Sequence, residues 1–413
     1  MRSSGVICEF NPFHNGHAYL LSRMRAEVGE DGAVICLMSG RFVQRGEAAV
    51  ADPYLRARTA LCGGADLVLE LPFPYAAASA EHFATAGVEI LSRLGADSLT
   101  FGSECGDASL LSSAAEATES PAFGELYAAL CRRGMGTTAA YAEALATSAS
   151  AGGAWPEGFP SSNDLLGIAY LRALRRVEAR EGHAPAPRVV TRKGAGYRED
   201  VLRAEGYPSA TALRLLLHEA ATDPAALADM LAGSMPDASL SLLLQAVENQ
   251  TAPMRSNRLL SFYHTLYRLK SPADMERFSE WGGGMAGHIC RSARATATAE
   301  EFFDALRTKQ YTDARLRRAL LFGAVGVTEE DLRAIPPYVT LLAANGRGCA
   351  FLKAWRKAQA GASAITVVTK PADTPEGRFR ELADRADALF TLCYPHPIAA
   401  GELYRSTPCI SQL

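Results

Sequence analysis

Two histidines in a short glycine-containing turn near the amino terminus have types and a spacing that indicate phosphate chemistry. His14 and His17 follow an apolar run and lie three positions apart, so both rings can face one side of a helix that begins near Gly16. The first turn of such a helix offers free N–H groups and a positive dipole end, which attract anions. Imidazole donors there can stabilise the charge that grows as pyrophosphate departs. The pair therefore predicts a site for a nucleotide's phosphates.

The same histidine pair has two simpler interpretations. A His-x-x-His pair can bind a metal ion, but no cysteine or carboxylate at a familiar metal-ligand spacing accompanies it. A histidine can also be purely structural, although two of the eight histidines of the chain fall in this one turn. We therefore favour phosphate chemistry and expect no metal ligands from the protein.

Length and composition restrict the class of protein. A chain of 413 residues with 48% hydrophobic residues can form two or three globular domains. No apolar run approaches the ~20 residues that cross a bilayer, and no secretory signal opens the sequence, so we expect a cytoplasmic protein without a membrane partner. Nine cysteines without a Cys-x-x-Cys pair indicate reduced thiols. The formal charge of −3 restricts any nucleic-acid site to a local patch.

Short β-rich runs alternate with helical stretches over residues 1–215, which predicts a doubly wound, Rossmann-like parallel α/β sheet. The expected strands are Gly5–Glu9, Ala33–Met38, Asp66–Leu71, Ser98–Gly102 and Arg188–Arg192, and the expected helices between them include Gly16–Val28, Pro53–Leu61 and Ala80–Leu94. Ligands of such sheets bind beyond the carboxyl ends of the strands. The turns that contain His14, Ser39, Gly102 and Arg192 should therefore form the site.

The pattern changes in two places along the chain. Residues 107–160 are rich in alanine and serine and predict a helical insertion before the last strand of the nucleotide-binding domain, which we place at residues 1–215. The β signal nearly vanishes afterwards, so residues 216–413 predict a mainly α-helical domain with a short αβ element near Ala364–Thr369. The sequence does not indicate an oligomeric state.

A second helix start could also bind phosphate. Ser209 and Thr211 lie at the head of a predicted helix, and Arg214 follows one turn later. Taken alone, Ser209 is better explained as a plain N-cap. The functional interpretation places both hydroxyls on phosphate oxygens, with Arg214 supplying charge. The first motif already requires a triphosphate, which favours the functional interpretation.

Three further positions have both structural and functional interpretations. Arg192 and Lys193 follow the last predicted strand and form either a basic turn or a grip on ATP or a carboxylate substrate. Gly102 would let the backbone approach an adenine or ribose, or only satisfies turn geometry. Asn163 is equally suited to be an N-cap or a ligand contact.

Two basic segments are candidates for RNA contact. Arg41 and Arg45 lie in a polar loop after the second strand, and Arg315, Arg317 and Arg318 lie in the most basic segment of the helical half. Exposed arginines usually have no specific role, so a solvated surface is the default explanation. Beside a nucleotide site they become candidates for substrate or tRNA phosphate contacts.

Together these segments resemble the bacterial tRNA(Met) cytidine acetate ligases, within the nucleotidyltransferase superfamily that carries a His-x-Gly-His type signature. The resemblance rests on an ordered set of segments that spans most of the chain, namely Gly5–His17, Met38–Glu47, Gly64–Pro72, Phe101–Glu104, Arg192–Tyr197 and Ser209–Arg214. Weaker similarity continues at Thr308–Thr312, Pro336–Val339 and Thr369–Asp373. The chain departs from the family pattern at Arg41, where asparagine is usual, at Pro53, where lysine is usual, and around Gly283–His288.

The resemblance implies a ligase that activates acetate with ATP to acetyl-adenylate and transfers the acetyl group to N4 of the wobble cytidine, in the anticodon loop of elongator tRNA(Met). His14 and His17 would be catalytic, and Mg²⁺ would accompany the nucleotide. The implied ATP contacts are Ile7, Cys8, Glu9, Phe10, Asn11, Pro12, Phe13, Asn15, Gly16, Ala18, Tyr19, Leu20, Gly102, Asn163 and Arg192, to which the residue patterns add Lys193, Ser209 and Thr211.

Two other functions remain open from the sequence. A small-molecule adenylyltransferase would join AMP to a phosphorylated metabolite without needing RNA. A noncatalytic RNA-binding protein with a relic nucleotide fold would bind RNA without consuming ATP. The intact histidine turn argues against the relic, and the large helical remainder argues less strongly against the metabolite enzyme.

Overall fold

A computed structural model describes residues 1–148, 155–192, 208–220, 222–358 and 365–411. Within these ranges the strands are β1 (Ser3–Cys8), β2 (Ala33–Ser39), β3 (Leu67–Leu71), β4 (Ser98–Ser103), β5 (Ala186–Thr191), β6 (Tyr338–Ala344), β7 (Thr366–Val368) and β8 (Cys409–Ile410). They form one sheet of order β5-β4-β1-β2-β3-β6-β7, with β8 paired to β6. The predicted doubly wound α/β sheet is confirmed, and it is parallel except where β6 pairs with β3.

The helices of the first half are α1 (Asn15–Val28), α2 (Pro53–Cys62), α3 (Ala80–Arg93), α4 (Ala108–Glu119), α5 (Pro121–Arg132), α6 (Thr137–Ser148) and α7 (Ser162–Glu181). Those of the second half are α8 (Ala210–Glu219), α9 (Pro224–Leu231), α10 (Asp237–Glu248), α11 (Arg258–Arg268), α12 (Pro272–Met275), α13 (Met285–Ala295), α14 (Ala299–Leu306), α15 (Asp313–Val325), α16 (Glu329–Arg333), α17 (Gly346–Ala358) and α18 (Arg378–Thr391). The second half is mainly helical, as predicted.

The centre of the sheet is apolar on both faces, which is why it needs helices on each side. Every residue of β2 is buried. Its alternate residues Val34 and Cys36 pack with Leu21 and Met24 of α1, whereas Ile35 and Leu37 belong to the core that contains helices α3 and α7. The two-residue periodicity of a strand therefore sends successive side chains into two different cores.

Local sequence signals set most boundaries within one or two residues. The Asp52 carboxylate accepts a hydrogen bond from the N–H of Tyr54 at 2.9 Å, and Pro53 is the first helical residue of α2, as predicted. The predicted insertion forms α4, α5 and α6. At the start of α7, however, the N-cap is Ser161 and not Asn163, because Ser161 and Asp164 form a reciprocal capping box.

The second half also contributes three strands to the sheet among the described residues. β6 pairs antiparallel with β3, and β7 and β8 pair parallel with β6. The predicted αβ element near residue 366 corresponds to β7, but β6 and β8 were missed. The two predicted domains therefore share one sheet, and a boundary near residue 215 stays a prediction. In the described ranges no helix has the length and apolarity needed to cross a bilayer.

Candidate active site

A cleft opens at the carboxyl ends of β1, β4 and β5. Because β1 lies between β4 and β2, this is the point where the strand order reverses, and ligands of open α/β sheets bind there. The cleft is lined by His14, Gly16, His17, Tyr19, Leu20, Gly102, Val190, Thr191, Arg192, Pro208 and Ser209. The structure thus brings together the histidine turn, Gly102, Arg192 and Ser209 from four separate stretches of sequence.

The two histidines form a reciprocal cap at the start of α1. Nδ1 of His14 accepts a hydrogen bond from the N–H of Gly16 at 3.0 Å, and Nδ1 of His17 accepts one from the N–H of His14 at 3.2 Å. A ring nitrogen that accepts carries no proton, so the proton of each neutral imidazole is on Nε2. Both rings therefore retain an Nε2–H donor for a ligand.

The surroundings keep both imidazoles neutral. The rings stack with centroids 3.7 Å apart, and Phe10 packs against His17 at 4.8 Å. Burial lowers the pKa of His14 to about 3, and the positive charges of Arg192 and Arg214 act in the same direction. Burial, His14 and Arg192 likewise lower the pKa of His17. The pair therefore donates hydrogen bonds at neutral pH without carrying charge.

The expectation that free amides of the first turn of α1 face the ligand is wrong. The N–H of Asn15 donates to the Ser234 carbonyl at 3.0 Å, and that of Gly16 donates to the His14 ring. The N–H groups of His17 and Ala18 both donate to the His14 carbonyl. The His14 ring, the His14 carbonyl and the Ser234 carbonyl satisfy these amides, so the imidazoles and the helix dipole remain as the means of attracting phosphate.

Glu104 organises the opposite wall of the cleft and was missing from the predicted site residues. One of its carboxylate oxygens accepts from Nδ2 of Asn163 at 2.6 Å and lies 3.4 Å from Nε of Arg192. The hydroxyl of Ser161 donates to the other oxygen. The signal that could have found Glu104 is its position just past the end of β4, which is the rule that selected Gly102.

The start of α8 reaches the histidine turn through Arg214. Its Nη1 donates to the Asn11 carbonyl at 2.7 Å, and its Nη2 donates to the Thr211 hydroxyl at 3.1 Å. Ser209 caps α8 by accepting from the N–H of Ala212, and it also lines the cleft. The N-cap interpretation of Ser209 is confirmed, whereas its phosphate contact and that of Thr211 stay predictions.

Several implied ATP contacts shape the histidine turn without lining the cleft. The side chains of Ile7, Phe10 and Phe13 lie in the core. Glu9 accepts from the N–H of Gln44 at 2.8 Å, and Asn11 accepts from that of Val50 at 2.7 Å. The other predicted ATP contacts that do not line the cleft are Cys8, Pro12, Asn15, Ala18, Asn163 and Thr211. Lys193 lies outside the described residues.

Arg56, a buried arginine outside the predicted site residues, joins the turns after β1 and β2. Nη1 of Arg56 donates to the Glu9 carbonyl at 2.6 Å, and Nη2 donates to the Ser39 carbonyl at 3.0 Å. Its Nη2 also donates to the Gly40 carbonyl. Arg56 therefore fixes the histidine turn relative to the loop that carries Arg41.

The arginines predicted to contact RNA have acidic partners within the chain. Nε of Arg315 and of Arg318 lie 3.2 and 2.7 Å from Glu280, and Nε of Arg317 lies 3.1 Å from Glu47. Their side chains are only partly exposed. This patch is less positive than the sequence suggests, and its contact with tRNA stays a prediction.

Arg41 is not on an open surface. Its side chain is 6% exposed, and its Nη1 pairs with Asp387 at 3.1 Å. It lines a second cavity at the same edge of the sheet and not the histidine cleft. Arg45, in the same loop, is half-buried. A contact from Arg41 to the phosphates of an RNA backbone is therefore not supported by this placement.

Within the described ranges, no three His, Cys, Asp or Glu side chains converge in a way that could hold a metal ion.

Comparison with known proteins places these features in context. The model of the HIGH Nucleotidyl Transferase family matches residues 1–402. The tRNA(Met) cytidine acetate ligase of Acetivibrio thermocellus is 32% identical, with 96% of each chain covered. The enzyme of the same name from Syntrophotalea carbinolica is 36% identical, covering 86% of this chain and 83% of the relative.

Two solved structures of Thermotoga maritima TmcAL are also similar over the full length of both chains. The apo form has a TM-score of 0.87 and the form bound with alpha-thio ATP has one of 0.84, each at 27% identity.

Proposed function

Since the chain belongs to the HIGH nucleotidyltransferase family and, within it, to the tRNA(Met) cytidine acetate ligases, we propose that it acetylates a tRNA cytidine. In this reaction ATP and acetate give acetyl-adenylate and pyrophosphate. The acetyl group then moves to N4 of the wobble cytidine of elongator tRNA(Met), which becomes N4-acetylcytidine. We also propose that the protein acts in the cytoplasm.

The observation that carries the proposal is the pair of neutral, stacked imidazoles at the cleft. An acetate oxygen attacks the α-phosphorus of ATP in line and forms a new C–O–P linkage. The bond between the α-phosphorus and the oxygen that bridges it to the β-phosphate breaks, and pyrophosphate leaves. The Nε2–H groups of His14 and His17 donate to the phosphate oxygens on which charge grows. Neutral donors suit this task because they need no proton transfer, and positioning and electrostatics carry such chemistry.

Other residues of the cleft hold the nucleotide in the proposed complex. Arg192 supplies positive charge, and its pairing with Glu104 fixes its direction. Ser209 offers a hydroxyl at the head of α8. Gly102 lets the nucleoside approach the backbone of β4. Mg²⁺ accompanies the triphosphate, whose oxygens are the kind of ligand that this ion prefers.

The second step joins nitrogen to carbon. The exocyclic amine of cytidine attacks the carbonyl carbon of acetyl-adenylate, a C–N bond forms, and the C–O bond to AMP breaks. The amine loses one proton, and AMP leaves as the phosphate monoester. A base in a single-stranded anticodon loop leaves its stack more easily than one in a duplex.

One incubation tests the whole reaction. The protein is mixed with ATP, labelled acetate and total tRNA, the tRNA is digested, and the labelled nucleoside is identified. We expect label in N4-acetylcytidine from elongator tRNA(Met). Label in another nucleoside would refute the assigned acceptor. Pyrophosphate exchange driven by a phosphorylated metabolite instead of acetate would identify a small-molecule adenylyltransferase. RNA binding without any exchange would identify a noncatalytic RNA-binding protein with a relic nucleotide fold.

A further inference from the structure

A second cavity lies at the same edge of the sheet, beyond the ends of β2 and β3. Its polar wall is built by Arg41 after β2, Glu70 in β3, Thr340 in β6 and Asp387 in α18. Phe42 and Tyr338 supply aromatic surface. These residues come from both halves of the chain and have no part in the histidine cleft.

Arg41 has unused hydrogen-bonding capacity in this cavity. Nη1 interacts with both carboxylate oxygens of Asp387, at 3.2 and 3.1 Å, whereas Nε and Nη2 are buried without a hydrogen-bond partner. Buried donors are almost always satisfied, and leaving one unsatisfied costs about 1–3 kcal/mol. Nε and Nη2 form one edge of the planar guanidinium, which matches a ligand with two adjacent acceptors.

The charges around Arg41 exclude a simple anion as that ligand. Glu70, Asp384 and Asp387 all line the cavity, so acetate or phosphate would meet three carboxyl groups beside one guanidinium. The Gly40 backbone lies directly against Glu70, where a Cβ would collide with a carboxylate oxygen. The cavity therefore suits a neutral, planar ligand that has adjacent acceptors on one side and a donor on the other.

Cytosine has this arrangement. Its O2 and N3 are adjacent acceptors, and its N4 amine is a donor of the kind that Asp and Glu recognise. Uracil has a donor at N3 and an acceptor at O4, so it would face Arg41 and Asp387 with the wrong groups. Phe42 and Tyr338 offer aromatic surface against which a base taken from its stack can pack.

The cavity and the histidine cleft lie at the same edge of the sheet, the cavity beyond the ends of β2 and β3 and the cleft at the ends of β1, β4 and β5. The loop that carries Arg41 packs on α15, where a Cβ on Gly46 would contact the backbone of Arg317 and Arg318. The arginines predicted to contact tRNA phosphates therefore border the loop that would hold the base.

We propose that this cavity binds a cytosine base of the tRNA, with Nε and Nη2 of Arg41 donating to the ring acceptors N3 and O2 and Asp387 accepting from N4. This inference rests on the proposed acetylation of tRNA. Arg41 would thus contact the base itself and not the phosphate backbone. Binding the base here would separate recognition of cytidine from activation of acetate, which occurs in the histidine cleft.

The test separates the two half-reactions in Arg41→Gln, with Arg176→Gln on the exposed face of α7 as the matched control. Acetate-dependent ATP–pyrophosphate exchange should stay within about twofold of wild type in both variants, because it needs only the histidine cleft. Acetyl transfer to tRNA should fall about 10- to 100-fold in Arg41→Gln alone, as expected when one bidentate base interaction is removed. Wild-type transfer by Arg41→Gln would overturn the inference.

Two additional measurements keep the test decisive. If Arg41→Gln loses exchange through misfolding, Asp387→Ala replaces it, since alanine has no acceptor for N4, and acetyl transfer should fall while exchange is retained. Calorimetry with free nucleosides tests the cavity independently of the enzyme reaction. A wild-type protein without acetate-dependent exchange would refute the proposed function, but the binding measurement would still test the cavity. We expect cytidine to bind the wild-type protein more tightly than uridine. Equal binding of the two would overturn the inference.

Discussion

The histidine cleft and the Arg41 cavity lie at the same edge of one sheet but are built in different ways. In the cleft, His14 and His17 belong to one short segment. The side chain of each accepts a hydrogen bond from a backbone N–H at the start of α1, so their geometry is local. In the cavity, Arg41 meets Asp387 at a sequence separation of 346 residues. A pair of residues from one turn is visible in the sequence, whereas a pair from distant segments exists only in the folded chain.

The two regions also treat charge in opposite ways. Burial and nearby arginines lower the pKa of His14 to about 3, which removes charge from a base. Burial raises the pKa of Asp387 to about 7, with Glu70 acting in the same direction and Arg41 opposing it. One region therefore offers neutral donors to a charged ligand, and the other surrounds a cation with acids and suits a neutral ligand.

Replacing His17 by alanine should separate the two regions most sharply. We expect acetate-dependent ATP–pyrophosphate exchange to fall at least about 100-fold, the effect of removing one donor to a developing oxyanion. Cytidine binding should be unchanged, and circular dichroism should show a retained fold. His183→Ala, at an exposed position just beyond the end of α7, is the control. Wild-type exchange by His17→Ala would refute the role assigned to the histidines.

Replacing Glu104 by alanine should affect only the nucleotide side. The change frees both Arg192 and Asn163, so we expect the KM for ATP to rise about tenfold while kcat changes little, because remote positioning acts mainly on binding. Steady-state exchange kinetics measure both constants. Glu181→Ala, which removes an exposed ion pair with Arg180, is the control. An equal decrease in kcat would mean that Glu104 acts in the chemical step.

The basic face of α15 tests whether tRNA approaches from the side of the Arg41 cavity. Changing Arg315, Arg317 and Arg318 to glutamine should weaken tRNA binding severalfold. The slope of log K against log salt should fall by about 0.9 for each phosphate that is no longer neutralised. Exchange should be unaffected. The matched control changes Arg172, Arg175 and Arg176, which lie on α7 and pair with glutamates of α3 and α4. Unchanged affinity at several salt concentrations would exclude the α15 patch.

The opposite pKa shifts predict opposite pH dependences of stability. The folded state keeps His14 neutral down to a pKa of about 3, whereas the unfolded chain takes up a proton near 6.5, so this residue lowers stability as pH falls from 6.5 towards 3. The slope is at most about 1.4 kcal/mol per pH unit. The Asp387 carboxyl keeps its proton up to about pH 7, so it lowers stability as pH rises from about 4 to 7.

Urea unfolding of His14→Asn and Asp387→Asn between pH 4 and 7 measures the two contributions separately. Asparagine is a good N-cap, so His14→Asn keeps the helix start. Relative to wild type, this variant should gain stability as pH falls, and Asp387→Asn should gain stability as pH rises. Parallel curves for wild type and both variants would contradict the two pKa shifts.

The sequence predicted the elements of the first half because each carries its own local signals. Asp52 and Pro53 mark the start of α2, and the apolar run before the histidine turn marks β1. The same logic placed Gly102, Arg192 and Ser209 near the histidines, since the ends of parallel strands meet at one edge. These predictions needed no knowledge of long-range contacts.

The missed features depend on contacts between distant segments. β6 is a buried apolar run in a mainly helical half, and a short run of this kind cannot be distinguished from a buried helix segment by periodicity alone. Glu104 and Arg56 look like ordinary charged residues until their partners are known. Asn163 was a plausible N-cap, but the capping box formed by Ser161 and Asp164 placed the helix start two residues earlier.

The sequence by itself determined the nucleotide-binding turn, because a strand, a turn and a capped helix are specified by neighbouring residues whose spacing fixes which side chains share a face. Only the tertiary structure decided that the Ser234 carbonyl accepts from the N–H of Asn15, that Arg41 points into an acidic cavity, and that the two halves share one sheet. These properties come from burial and from pairs of residues far apart in the chain. Their energies depend on surroundings that a linear pattern does not contain.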